Sequence, residues 1–185
     1  TLCPKWKLDA EFQHRRQNGS DNRNLFSENL QFAFRNWIHY EYQDNLKFSV
    51  SPVGIFSNYR VIEKSTDETV DPVCEIRFSA ASEWKKLLLK KTSFTYRAAL
   101  EYRFIGKLPQ DILRLRNRVG ISRTIFPNTK VTVFDEVFLQ ITGFSNGHFF
   151  DQNRLGIDMD WRVSPKLKLN LGYILSLRRF TPNSG

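Results

Sequence analysis

The chain has 185 residues, of which 41% are hydrophobic, 14% aromatic and 25% charged, and its formal net charge is +9. That length suffices for one domain or one barrel, and no apolar run approaches the roughly 18–20 residues of a spanning helix, which excludes a helical membrane protein. Arginine and lysine alternate with glutamate and aspartate instead of forming one basic stripe, so no nucleic-acid partner is expected.

Apolar residues recur with period two along most of the chain, the signature of strands with two unlike faces. The first strand is expected over 4–16, where Trp6, Leu8, Ala10 and Phe12 oppose Lys7, Asp9, Glu11 and Gln13. The second, over 25–42, meets a third, over 46–60, across the short turn Gln43-Asp44-Asn45. Pro52 and Gly54 interrupt the third, and a bulge is expected there because proline cannot donate to a central ladder.

A fourth strand is expected over 72–84 and a fifth over 92–105, whose Phe94, Tyr96, Ala98, Leu100, Tyr102 and Phe104 oppose Thr95, Arg97, Glu101 and Arg103. Between them WKKLLLKKT, Trp84 to Thr92, reads as a long connection at an end of otherwise short ones. It either lies along a membrane interface or is a strand end with solvated lysines. The sixth strand, over 111–125, sets Leu113, Leu115, Val119 and Ile121 against Arg114, Arg116 and Arg118.

Strands over 130–142, 149–163 and 167–179 complete nine, with turns at Pro127-Asn128-Thr129 and Ser164-Pro165-Lys166. In the last pair Leu155, Ile157, Met159 and Trp161 continue into Leu169, Leu171, Tyr173 and Leu175, while Arg154, Asp158, Asp160 and Arg162 take the other face. The connections 17–24, 61–71 and 143–148 are longer and richer in Gly, Ser, Asp and Asn, so short turns and long loops fall at opposite ends.

A soluble barrel points the apolar set inward, whereas a membrane barrel turns it to lipid and keeps its charges in the lumen. Strands longer than ten residues match the ~9–11 that cross hydrocarbon at a tilt. Rings such as Trp6, Tyr40, Tyr42, Trp84, Tyr102, Phe104 and Trp161 crowd toward strand ends, as interfacial aromatics do. The expectation is an all-β, antiparallel up-and-down transmembrane barrel of about ten strands, one domain over 1–185. It holds in spite of the low mean hydropathy of −0.45. Asp135, on the apolar track, requires either a re-phasing bulge near Phe134 or a protein neighbour.

On this reading Arg97, Glu101, Arg103, Arg114, Arg116, Arg118, Glu136, Arg154, Asp158, Asp160 and Arg162 line the lumen and meet in cross-strand salt bridges that plug it. Asn36, Asn117 and Asp135 interrupt the outer face and suit contact with another protein better than with acyl chains. His14 lies on the outer parity with no serine two residues away, His39 faces the lumen beside Glu41, and His148 falls in a loop. No nucleophile with a positioned base is visible, so no enzyme is expected, nor any cofactor or metal. Cys3 and Cys74 form neither a zinc pattern nor a disulfide framework. The opening at Thr1 has no basic-then-apolar leader, so a targeting peptide would have been removed or would lie outside this sequence.

Five pieces of the chain, EIRFSAASEW (Glu75 to Trp84), YRAALEYRF (Tyr96 to Phe104), LRLRNRVGIS (Leu113 to Ser122), VFDEVFLQ (Val133 to Gln140) and FDQNRLGIDMDWRVSPKLKLNLGYIL (Phe150 to Leu175), resemble a bacterial family of outer-membrane β-barrels, the 2490-type domain of unknown function. The likeness covers the C-terminal part, and the N-terminal part matches in pattern alone. It implies a fold and an address in the outer membrane of a diderm bacterium, with outer-membrane lipid and lipopolysaccharide around the barrel, but no activity. Relatives of this kind finish on a further strand, whereas here 181–185 reads as a loop-like tail. A tenth strand is therefore expected to follow, since single-chain bacterial barrels have even strand numbers. With Thr1 at the periplasmic side, Cys3 and Cys74 fall at opposite ends and cannot bridge.

The functional expectation is a non-enzymatic structural or accessory subunit of a larger outer-membrane complex. A narrow anion-preferring pore is the runner-up, and a lipid-modifying enzyme the third reading.

Overall fold

Nine strands form in chain order: β1 (Trp6–Gln17), β2 (Glu28–Gln43), β3 (Leu46–Asn58), β4 (Val73–Leu89), β5 (Thr92–Ile105), β6 (Ile112–Phe126), β7 (Thr129–Gln140), β8 (Phe150–Arg162) and β9 (Lys168–Arg178). Each pairs antiparallel with the next, in one sheet whose order is the sequence order. The computed structural model describes residues 5–24, 26–106, 110–142, 149–165 and 167–178. Among these the sheet is an up-and-down half-barrel: β1 and β9 are its two edges and make no contact with one another. The only helical element among them is a short 3-10 turn, Ser65–Asp67.

The two faces are inverted relative to a water-soluble sheet. Leu169, Leu171 and Leu175 are 42, 62 and 47% exposed, whereas Glu101, Glu75 and Arg114 are 1, 2 and 7% exposed. The convex face is dominated by leucine, isoleucine, valine and aromatic side chains, and the concave face carries most of the ions. Small residues on the concave side make room for the long ones: Ala33, Ala81, Ala99, Ser49, Ser51 and Ser79 are all buried beneath them. Gly156 lies directly opposite Phe134, whose ring occupies the space a Cβ would need.

The expected bulge at Pro52 is present. The register shifts between Ser51 and Gly54 against β4 and between Arg35 and Ile38 against β2. The backbone N–H of Val53, which the bulge frees, donates to Oδ1 of Asn36 at 3.4 Å. Two expectations need correction. No bulge re-phases β7 at Phe134: pairing with β6 and β8 runs unbroken through Asp135, which stays on the outer face. The long connection read at Trp84 to Thr92 gives way to the other reading, a strand end: Trp84 pairs with Tyr96, Lys85 with Thr95 and Lys86 with Phe94, and β4 continues to Leu89. The turn is reduced to Lys90-Lys91, so every described turn at that end is short.

At the opposite end the loop after β3 folds onto the loop after β1. Asp67 accepts from the backbone N–H groups of Glu63 and Lys64 at 3.1 and 3.0 Å and pairs with Arg60 Nε at 2.9 Å. These donors hold its carboxyl below the usual carboxylate range. Glu68 accepts from the backbone N–H and the hydroxyl of Ser20 at 2.7 and 2.8 Å, and its pKa is lowered for that reason. Of the two cysteines, Cys74 is a free, exposed thiol, and Cys3 lies outside the described residues.

Candidate functional site in the charged interior

Strand register builds the interior. Glu75 of β4 lies across from Ile105, Arg77 from Arg103, and Ser79 from Glu101; Glu101 in turn lies across from Arg114, and Arg116 from Phe138. Inward positions of neighbouring strands thus carry arginine and carboxylate at reachable diagonals. Arg103 grips Glu75 through Nε and Nη2 at 2.6 and 2.9 Å, and Arg77 Nη2 reaches the same carboxylate at 2.8 Å. Glu101 receives Arg114 Nη2 and Arg116 Nη1, both at 2.6 Å, with Arg77 at 3.8 Å. Arg116 Nη2 continues to Glu136 at 2.7 Å, and Arg114 Nη1 to Asp151 at 3.1 Å. Four arginines and four carboxylates therefore form one connected network with no net charge.

Aromatic rings complete the packing. The guanidinium groups of Arg154, Arg116 and Arg114 lie 4.6, 4.8 and 5.0 Å from the centroid of Phe138, which is 1% exposed. Arg77 sits 3.9 Å over Phe56 and Arg118 3.5 Å over Phe134. A ring face stabilises a cation where water is scarce.

The network divides the concavity into two cavities. One, of about 930 Å³, opens toward the short turns and is lined by Lys47, Lys85, Lys130, Asp158 and Asp160 among others. The other, of about 530 Å³, opens toward the long loops, and its lining includes Arg15, Arg103, Arg114 and Arg154. Arg35 and Arg116 border both.

All the residues expected in the lumen lie on strands that build this interior, but they do not form one cluster. Glu101, Arg103, Arg114, Arg116 and Glu136 belong to the network. Arg118 pairs separately with Asp158 at 3.2 Å, and Asp160 with Lys168 at 3.1 Å. Arg97 lies over Trp37 at 5.4 Å. Arg162 is exposed at the short-turn rim, opposite Lys168. Sequence reasoning passed over Glu75 and Arg77, although both sit on the charged parity of EIRFSAASEW. It also passed over Asp151, which a register shift between Phe138 and Leu139 brings to the network.

His39 is not paired with Glu41. Its Nδ1 lies 2.7 Å from Ser49 Oγ and its Nε2 3.2 Å from Asp9 Oδ2, while Lys7 also holds Asp9 at 2.8 Å. The residue types are those of a hydrolytic triad, but Ser49 sits mid-strand, paired on one side with His39 and on the other with Ala81. Its neighbouring amides are committed to the ladders and offer no oxyanion hole. The register of the β2–β3 hairpin, countable from its turn, is the signal that could have found Ser49. His14 hydrogen-bonds Asn29 at 3.0 Å and stacks on Phe32, and His148 lies outside the described residues. Among the described residues no cluster of metal-ligating side chains occurs.

Among the described residues, a polar patch interrupts the outer face across β5 to β8. Tyr96 Oη donates to Asn117 Oδ1 at 2.7 Å, and Asn153 Nδ2 donates to Asp135 Oδ1 at 2.7 Å, the two pairs lying side by side on β5 to β8. Asn36 is separate and serves the Pro52 bulge.

An antiparallel up-and-down β half-barrel with an apolar outside and an ion-filled inside defines the class of this protein. The chain belongs to the family described as "Protein of unknown function (DUF2490)", which it matches over residues 1–184. The match extends the resemblance seen in the C-terminal pieces to the N-terminal strands. No curated protein matches the chain, and no solved structure does.

Proposed function

We propose that the protein is an integral outer-membrane β-barrel that serves as a non-enzymatic structural or accessory subunit of a larger outer-membrane assembly. The observation that carries this reading is the inversion of the faces. An exposed apolar wall of this extent has no counterpart on a soluble monomer, where patches rarely exceed a few hundred Å², and acyl chains of lipid and lipopolysaccharide are its natural solvent. Lys85, Lys86, Lys90 and Lys91 flank the end of the β4–β5 hairpin, where headgroups would lie.

Lipid also requires that both sheet edges be paired. β1 and β9 run in the same direction, from the short-turn end to the long-loop end, so a direct seam between them would be parallel. A tenth strand running the opposite way is antiparallel to both, which fits the even count of single-chain barrels.

The patch of Tyr96, Asn117, Asp135 and Asn153 supports the accessory role, because a carboxylate on an apolar wall is stabilised by a protein neighbour with donors to offer. Isolation from native membranes in mild detergent tests the proposal. A larger complex that survives extraction from wild-type membranes and is lost with Asp135→Leu is expected. Release of the protein into detergent-free buffer contradicts the membrane reading, and an unchanged complex in the variant contradicts the contact.

A further inference from the structure

The ion network is neutral in itself, and Arg154 stands outside it. Arg154 lies on the concave face of β8, pairs across the ladder with Glu136, and places its guanidinium over Phe138 at 4.6 Å. Among the described residues no carboxylate lies within ion-pair distance of it, and it makes no hydrogen bond. The carboxylates nearest to hand are already engaged. Glu136 and Glu101 are taken by Arg116 and Arg114, and Asp151 is taken by Arg114. Arg15, reaching in from β1, adds positive potential across the same cavity. A cation withdrawn from bulk water without a counter-ion is costly.

We infer that the long-loop cavity binds a phosphomonoester, with the Arg154 guanidinium as its principal anchor. The cavity's described lining contains seven arginines, no lysine and two carboxylates, Glu75 and Asp151. Four of the arginines are held in the network and Arg35 by Glu11, which leaves the planar fork of Arg154 to match the paired oxygens of an oxyanion. The short-turn cavity differs. Its three lysines and four arginines face five carboxylates, and it holds little surplus charge. At about 530 Å³ the long-loop cavity also exceeds a bare phosphate, and Leu30, Tyr59, Val61 and Ile105 give its mouth an apolar margin for an organic remainder. The ligand is therefore a phosphate carried on a small organic group, free in solution or as a lipid headgroup. The site requires only the concave cavity, so it stands or falls separately from the accessory role.

The test is calorimetric titration of the full chain in zwitterionic micelles at low ionic strength. One arm uses glycerol 3-phosphate and the other phosphatidic acid incorporated in the micelles. Saturable binding in the first arm assigns a soluble ligand, and binding in the second alone assigns a headgroup. Arg154→Gln is expected to weaken binding at least about tenfold, the loss of one charge-assisted contact. Arg154→Lys retains part of it, and Arg97→Gln, in the other cavity, leaves it unchanged. A second measurement keeps Arg154 and the ion network intact. In a Cys3→Ser, Cys74→Ser background, the phosphorus resonance of the bound probe should be broadened by a spin label at Val61→Cys on the long-loop rim and not by one at Asn45→Cys on the short-turn rim. Absence of saturable binding in both arms, equal affinity in Arg154→Gln, equal loss in Arg97→Gln, or broadening from the Asn45 position alone overturns the proposal.

Discussion

Single residues on the concave face are constrained by what lies directly across the ladder. The ring of Phe134 covers Gly156 on one side and carries Arg118 at 3.5 Å on the other, so glycine is required there by space. Gly156→Ala forces the ring off its position, and a loss of about 1–3 kcal/mol is expected from such overpacking. Urea unfolding in detergent reads that loss. Asp67 makes a prediction with a definite sign. Its carboxyl is held below the usual range in the folded loop, so its contribution is present above that range and is lost as pH falls through the lowered value. Hydrogen exchange at the Glu63 and Lys64 amides should stay slow through ordinary carboxylate titration and quicken only at lower pH. In Asp67→Asn it should be fast throughout. Ser49 holds the His39 ring by a hydrogen bond from mid-strand, so a serine-directed fluorophosphonate should leave the protein unlabelled. Labelling that disappears in Ser49→Ala would instead reveal a hydrolase.

At the scale of strands and hairpins, period-two alternation made the elements legible, because a strand with two unlike environments must place them at alternate residues. Pro52 announced its bulge through its missing N–H. Other features could not be read this way. The end of β4 was hidden because Lys85 to Leu89 pair with β5 through the backbone, whatever their side-chain pattern. Asp135 is accommodated by Asn153 on the neighbouring strand, a partner that only the β7–β8 register identifies. The interior charges were legible as a parity, but their partition into a neutral network, separate pairs and an uncompensated Arg154 depends on diagonals that register alone sets. That partition can be measured. Glu101 is 1% exposed and receives three arginines, so Glu101→Gln, which leaves buried cations underneutralised, is expected to cost about 3–5 kcal/mol. Lys130→Gln, which breaks a partly exposed pair at 3.9 Å, should cost less than about 1 kcal/mol by the same unfolding assay.

The whole molecule has an apolar convex face and a concave face filled with ion pairs. If the ion network plugs the closed barrel, as proposed, planar-bilayer recording of the purified protein should give no steady current. A sustained anion-selective current would replace the plugged interior with a pore. The orientation of the faces is tested most directly by spin labels placed one at a time along β8 of the protein, with Cys3 and Cys74 replaced by serine, reconstituted in bilayers. Accessibility to oxygen and to a water-soluble relaxing agent is then compared at each position. High oxygen accessibility at Leu155, Ile157 and Met159, with low values at Arg154, Asp158 and Asp160, is the expected result. The opposite alternation, or water access at every position, would contradict a lipid-facing apolar wall.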